Sequence, residues 1–250
     1  MKSILTVLLA LISFVVLAQK EIKEEYSLNG ITEVSIKFKY PELVSLKTWD
    51  GDKVVIKGTA SINLGKNDEN FIIKADRSSK SLYIDSQIKD MDELPHKLWA
   101  TEEDGTIHVF NAKDWNSPEV QKYLDEHPKH RSMSHGVIKK IQLEVLVPKN
   151  VALNIDCKFG LLEIQDFDAP LFASSKFAGI DISVPSRSKI DITAKTKFGE
   201  IYTDLDADFD DRNGRRTEPN RWLAIQAKLN GGGKSFVLES EHGDLYLRKK

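Results

Sequence analysis

The sequence lacks the residue patterns that carry most enzyme chemistry. Cys157 is its one cysteine, so no disulfide can form within the chain and no Cys-x-x-Cys pair exists. No glycine-rich phosphate loop is present, and no serine or cysteine stands in a nucleophile elbow. With no catalytic constellation, we expect no enzymatic activity, no cofactor and no bound metal.

A strong charge of one sign is also missing. The chain has 36 basic and 38 acidic residues, for a formal net charge of −2. Nucleic-acid binding needs a net or clustered positive field to neutralise phosphates. We therefore expect no nucleic-acid partner.

Long apolar runs are absent after the first residues. The run at 4–17 follows Lys2 and ends before Ala18, which is the pattern of a cleaved signal peptide covering residues 1–18. A membrane-spanning helix, the alternative, needs about 20 apolar residues, and no cysteine follows for a lipid anchor. We predict an exported chain, periplasmic or at the cell surface, whose mature part from Gln19 does not span a membrane.

Most of the remaining chain alternates apolar and polar residues with period two. From about 31 to 88, turn signals such as Asp50-Gly51-Asp52 separate short alternating segments, which is typical of many short strands. The pattern stops at about 89–135, where Ser117 and Pro118 mark a helix start, and a polar loop follows later at about 206–221. We predict a single β-domain over 19–250, with a mixed insertion at 89–135 that contains a short helix.

Four copies of one cassette lie in the second half of the chain. They are "CKFGLLEI" (157–164), "SKFAGIDI" (175–182), "TKFGEIYT" (196–203) and "SEHGDLYL" (240–247). Apolar or small residues occupy the even positions before each aromatic, as on one face of a strand. Repeats of about 20 residues are typical of stacked coils. We therefore predict an all-β fold, a β-solenoid or β-helix of short stacked strands, with Phe159, Phe177 and Phe198 as an internal ladder.

These cassettes resemble those of adhesin-like exported bacterial β-solenoid proteins of the head-domain type. The resemblance covers residues 136–250 well and 22–88 more loosely, and the insertion at 89–135 does not fit it. It implies a solenoid architecture, and the shared motifs include no set of catalytic residues.

Three lysines are the candidate binding residues, because each precedes a cassette phenylalanine: Lys158, Lys176 and Lys197. Stacked rungs would place them about 5 Å apart on the outer face. Such a stripe could bind an anionic polysaccharide or a lipid headgroup. The alternative is an ordinary solvated surface, neutralised by the acidic residues that follow: Glu163, Asp181 and Glu200.

Three other features have a simpler interpretation than a site. Cys157 aligns with Ser175, Thr196 and Ser240, which indicates a small inward-facing residue. The acidic loop Asp204–Asp211 departs from a calcium-loop pattern at its sixth and twelfth positions, leaving only a non-standard Ca²⁺ site open. His127, His130 and His135 match no zinc spacing.

Three functions remain open from the sequence. The leading one is a non-enzymatic, adhesin-like binding scaffold of the cell envelope, whose partner is an envelope polysaccharide or a surface protein. The alternatives are a β-helix enzyme acting on polysaccharide and an envelope sensory or regulatory partner protein. We also expect a monomer, because the cationic end Arg248, Lys249 and Lys250 would protect a terminal strand edge from further pairing.

Overall fold

A computed structural model describes residues 19–210, 216–217 and 222–250. The predicted signal peptide (1–18), Asp211 of the acidic loop and much of the polar loop lie outside these residues. Among the residues described, no helix is both long and apolar enough to cross a bilayer.

The described chain consists mainly of β-strands. They are β1 (Lys20–Ser27), β2 (Glu33–Phe38), β3 (Leu43–Trp49), β4 (Lys53–Ile62), β5 (Phe71–Arg77), β6 (Ser81–Ile88), β7 (Lys97–Thr101), β8 (Ile107–Phe110), β9 (Ser132–Gly136), β10 (Lys139–Pro148) and β11 (Ala152–Cys157). The rest are β12 (Leu161–Gln165), β13 (Leu171–Ser175), β14 (Ile180–Val184), β15 (Ile190–Thr196), β16 (Ile201–Thr203), β17 (Asp208–Phe209), β18 (Arg216–Thr217), β19 (Trp222–Leu229), β20 (Lys234–Ser240) and β21 (Leu245–Lys249). The same described residues include the α-helix α1, which spans Pro118–Glu126, and a 3-10 turn at Asp68–Asn70. The predicted β-rich class is confirmed.

Two large sheets contain most of these strands, and neither closes on itself. The first sheet has the order β1-β4-β10-β3-β12-β14-β21-β16, and the second has the order β17-β19-β15-β20-β13-β11-β2-β6-β5 with β18 beside β19. In the centre of both sheets the neighbouring strands are parallel and in register. Antiparallel strands flank the parallel centre on both sides of the second sheet and on the β1 side of the first, whose other edge strand, β16, is parallel to β21.

Along the chain, a strand of the second sheet is repeatedly followed by a strand of the first. We call each such pair a rung. In spatial order the rungs are β2–β3, β11–β12, β13–β14, β20–β21 and β15–β16. Their inward-facing apolar residues, such as Ile155, Ala173 and Leu238, are fully buried between the two sheets and form the main core. The predicted alternation of apolar and polar positions therefore describes these strands well.

The corner between the two strands of a rung is held by a column of small residues. Cys157, Ser175, Thr196 and Ser240 are all buried, as their alignment in the sequence predicted. The Thr196 hydroxyl donates to the carbonyl oxygen of Gly243 in the next rung (2.9 Å) and accepts from the Gly199 amide of its own corner (3.1 Å). These bonds satisfy the hydroxyl inside the core, where an unpaired one would be costly.

Glycine is required at the corners because neighbouring rungs approach each other closely. A Cβ on Gly199 would overlap the carbonyl oxygen of Gly243, and one on Gly243 would overlap the backbone of Ala178. The contact with the adjacent rung, not a left-handed backbone, therefore selects glycine at these positions.

The predicted insertion contains a small layer of its own. Strands β8, β7 and β9 form an antiparallel sheet, and α1 contributes Val120 and Tyr123 to a separate apolar cluster with Leu98 and Phe110. Helix α1 begins after Ser117 with Pro118 in its first turn, which confirms the predicted helix start.

The predicted internal phenylalanine ladder is wrong in its position. Phe159, Phe177 and Phe198 are 46%, 46% and 57% exposed, so they lie on the outside of the corner. Each strand of the second sheet ends two residues earlier, at Cys157, Ser175 or Thr196. Because the chain turns there, the period-two alternation no longer places the next alternate residue inside.

The predicted open C-terminal edge is also wrong. Strand β21 lies inside the first sheet, paired with β14 on one side and β16 on the other. Two of the three terminal cations form ion pairs within the chain: Arg248 Nε lies 2.8 Å from an Asp181 carboxylate oxygen, and Lys250 Nζ lies 2.5 Å from Asp166. They therefore do not protect a free edge, and the expected monomer stays a prediction without this support.

Candidate functional site

The three predicted lysines lie along one outer edge of the rungs. Each amine lies over the phenylalanine that follows it in the sequence, at 5.1 Å for Lys158, 5.5 Å for Lys176 and 5.1 Å for Lys197. These are cation–π distances. Fixing each lysine over a ring restricts its movement, which reduces the entropy that it would lose on binding a ligand.

The rings beneath the lysines form a continuous exposed stack, which we call the corner ladder. Its order is Phe159, Phe177, His242 and Phe198, with centroid separations of 5.1, 5.3 and 4.8 Å and interplanar angles of 11 to 14°. The spacing follows from the in-register pairing of the rungs, since adjacent strands lie about 4.8 Å apart.

A carboxylate interrupts the row of lysines. Glu241 takes the lysine position in its rung and lies 3.4 Å from the Lys176 amine and 3.8 Å from the Lys197 amine. The rung that carries it is the last in sequence but fourth in space, between those of Lys176 and Lys197. Partial neutralisation was expected from Glu163, Asp181 and Glu200. Glu241 was not among them, and it forms ion pairs with Lys176 and Lys197.

A fourth lysine at this edge was not predicted from the sequence. Lys39 follows Phe38, which pairs with Cys157, so it occupies the position of Lys158 in the first rung. Its amine lies 4.9 Å from the Tyr40 ring centroid. The signal was present as "FKYP", which repeats the lysine–aromatic order without the glycine. We call Lys39, Lys158, Lys176 and Lys197 the lysine column.

Cys157 is buried, and its surroundings keep its thiol in the unreactive, protonated form. It is 1% exposed, and burial, with a smaller effect of Asp156, raises the pKa of its thiol far above the usual range. A thiol needs to ionise to act as a nucleophile or ligand. The interpretation as a small core residue is supported.

The acidic loop and the histidines form no metal site where the structure can be described. Within residues 19–210, 216–217 and 222–250, no three His, Cys, Asp or Glu side chains lie close enough to hold a metal ion. Asp204 instead accepts a hydrogen bond from the Lys249 amide at 2.6 Å. Asp211, the last residue of the acidic loop in which a non-standard Ca²⁺ site was left open, lies outside the described residues.

The histidines of the insertion take part in ring stacking. Tyr123 lies between His108 (4.4 Å) and His127 (4.3 Å), and its hydroxyl donates to Glu102. Burial, followed by the Glu102 carboxylate, raises the pKa of Tyr123 to about 12. His127 Nδ1 lies 3.3 Å from the same carboxylate. The stacking of Tyr123 on His108 holds α1 against β8.

Comparison with known proteins finds two similar solved structures and no matching family. No protein-family model matches the sequence, and no curated protein matches it. A candidate cell adhesion protein from Clostridium sporogenes ATCC 15579 is 10% identical, with 93% of this chain and 100% of that chain covered and a TM-score of 0.49. A candidate adhesin from Bacteroides fragilis NCTC 9343 is 8% identical, with 93% and 98% covered and a TM-score of 0.23. Both TM-scores lie below 0.5, too low for either likeness to carry a function to this chain.

Proposed function

We propose that this protein is an exported, non-enzymatic binding scaffold of the cell envelope, adhesin-like in its role. In this proposal the rungs are the coils of a β-solenoid, each passing from the second sheet to the first and stacking on its neighbours. The in-register parallel pairing of the rungs and their common buried column support that interpretation. A stack of this kind presents outward residues at a fixed spacing.

The lysine column is the proposed ligand surface, and an anionic envelope polysaccharide is the proposed ligand. The observation that carries this proposal is the row of four lysines, each held over its own aromatic ring. Charges repeated along a straight edge fit a polymer with repeated negative charges. Attraction of this kind is long-ranged and weakens with salt.

The test compares two sets of lysine variants in the mature chain 19–250. Lys39, Lys158 and Lys176 are changed together to Gln, which removes three charges from the column. The matched control changes Lys57, Lys89 and Lys140 to Gln, which removes the same charge from exposed positions elsewhere. We expect the column variant to bind alginate and polygalacturonate at least tenfold more weakly at low salt, and the control to bind them as the parent does.

Two results would contradict the proposal. Equal weakening by both variants would show that total charge, not the column, attracts the polymer. Shortening of the polymer during incubation would support the polysaccharide-acting enzyme instead. Export is tested separately by the N-terminal residue of the protein recovered outside the cytoplasm, which we expect to be Gln19.

A further inference from the structure

A shallow hollow lies on the outer face of the second sheet, away from the corner. Four neighbouring strands, β6, β2, β11 and β13, form its base. Their register places Tyr83, Ser35, Asn154 and Phe172 side by side in one row. The hollow has a volume of about 460 Å³.

The row consists of two large side chains with two short ones between them. Tyr83 is 50% exposed and Phe172 is 36% exposed, whereas Ser35 and Asn154 are too short to fill the space between the rings. Three strand-to-strand steps of about 4.8 Å separate the two aromatic positions, or roughly 14 Å. The hollow is therefore an elongated trough with an aromatic side chain at each end.

Polar side chains line the trough beside this row. Lys37, Asp85 and Asp156 come two residues further along their strands and so point to the same face, and Asp76 pairs with Tyr83 from β5. Among the described residues, Asp85 accepts one hydrogen bond, from Gln87 at 2.8 Å. Lys37, Asp76 and Asp156 make no hydrogen bond or ion pair through their side chains with any other described residue. Their donors and acceptors are therefore available to a ligand.

We propose that this trough binds a short neutral oligosaccharide. Sugar rings combine C–H faces with hydroxyl groups, and the trough offers a partner for each. The electron-rich faces of Tyr83 and Phe172 attract C–H groups. The carboxylates accept hydrogen bonds from hydroxyls, while the Asn154 amide and the Lys37 amine can donate to them.

The charge of the trough selects against acidic sugars. Asp76, Asp85 and Asp156 outnumber Lys37, giving a formal local charge of −2 from these four residues. A carboxylate-bearing saccharide would meet like charges there, whereas a neutral one would not. The trough thus takes a different ligand class from the lysine column, and the two sites are independent of each other.

The test uses the mature chain and four trisaccharides: those of glucose, mannose and N-acetylglucosamine, which are neutral, and trigalacturonate, which is anionic. Binding is measured by saturation-transfer NMR and by calorimetry at ligand concentrations up to about the millimolar range. We expect at least one neutral trisaccharide to bind. Trigalacturonate is measured on the variant with Lys39, Lys158 and Lys176 changed to Gln, in which the lysine column is weakened, and we expect it to bind there at least tenfold more weakly than that neutral trisaccharide.

Three variants assign the binding to the trough. The double change Tyr83→Ala and Phe172→Ala removes both aromatic ends and should weaken binding at least tenfold. Asn154→Phe adds an aromatic ring but fills the base, and it should also abolish binding. Tyr202→Ala is the matched control, because Tyr202 is likewise 50% exposed but lies on the first sheet. It should leave binding unchanged.

The outcomes distinguish binding in the trough from binding elsewhere on the surface. Failure of every neutral trisaccharide to bind the parent chain would overturn the proposal. Retained or stronger binding by Asn154→Phe would indicate general attachment to exposed rings and would also overturn it. Loss of binding in the lysine-column variant, with the trough variants unaffected, would move the site to the corner and refute the trough.

Discussion

Truncation of Phe177 tests whether the corner ladder lies outside the core. Phe177 stacks between Phe159 at 5.1 Å and His242 at 5.3 Å, and it is 46% exposed. A phenylalanine buries about 200 Å² when fully enclosed, so about half of that is buried here. At about 25 cal/mol per Å² the upper limit is about 2.5 kcal/mol. Because alanine keeps the Cβ, we expect Phe177→Ala to lower the free energy of unfolding by about 1 to 2 kcal/mol.

Phe236, on the neighbouring rung, provides the matched comparison. It is 2% exposed, and it lies on the inner face of β20 with its ring centroid 6.2 Å from that of Phe167. Phe236→Ala should cost about 3 to 5 kcal/mol, the range for a buried phenylalanine that leaves a cavity. Phe177→Leu separates stacking from burial, because leucine restores apolar area without a ring. We expect it to recover about half of the loss in Phe177→Ala.

Equilibrium urea unfolding followed by tryptophan fluorescence measures these differences. The slope with denaturant needs to stay constant among the variants, so that the midpoints report stability alone. Equal losses in Phe177→Ala and Phe236→Ala would show that the ladder is buried, as the sequence pattern suggested. No loss at all in Phe177→Ala would show that the stacked rings contribute nothing in solution. Either result would refute the reasoning from exposure and stacking.

Two further predictions concern the corners and the insertion. Gly199→Ala should destabilise the protein by about 2 to 3 kcal/mol, because its Cβ would overlap the backbone of Gly243. Gly105→Ala meets open space and should cost only about 1 kcal/mol for its left-handed φ. Equal losses for the two variants in thermal unfolding would contradict the close approach of the rungs. The pKa of Tyr123 is raised to about 12, against 10.0 in a free chain, so the folded state favours the neutral phenol. The stability that this preference contributes should be complete below pH 10 and be lost as the pH rises towards 12. Tyr123→Phe should show a smaller loss of stability over this range than the parent in urea unfolding at each pH, and an unchanged profile would show that the Glu102 contact and burial do not perturb this group.

The inner face of the rungs could be predicted from the sequence because burial imposes a simple pattern on it. Ile155, Ala173 and Leu238 align in the repeats and are buried together. The small column that contains Cys157 and Thr196 was also evident, because a methyl, thiol or hydroxyl fits where a longer side chain would not. These positions are set by local alternation, which a single sequence shows directly.

The position of the phenylalanines could not be predicted by extending the same alternation. Period two applies only while the backbone stays extended, and the strands end at the small column. Beyond it, the corner directs the next side chain by its own geometry. The lysine–aromatic order was visible, but its outward direction depends on where the strand stops.

The spatial order of the rungs could not be predicted from the sequence, for a different reason. The rung β20–β21 is last in the chain, but β20 lies between β13 and β15. Strand β19 precedes it and pairs antiparallel with the far side of β15. Sequence spacing shows that units repeat, but it does not specify which unit lies beside which. The predicted terminal edge failed for this reason, and Glu241 came to lie between two lysines for the same reason.

The division between the inner and outer faces has a consequence for binding. The column of small residues and the corner glycines set how closely neighbouring rungs approach. They therefore also set the spacing of the side chains that project outward. Outer side chains contribute less to the folding energy than buried ones and can differ from rung to rung, as Ser35, Asn154 and Phe172 do within one row. The same register therefore produces a cationic edge at the corner and a recessed acidic trough on the sheet. One repeated scaffold thus presents two surfaces of opposite charge, and the two binding experiments test independently whether each holds its proposed ligand.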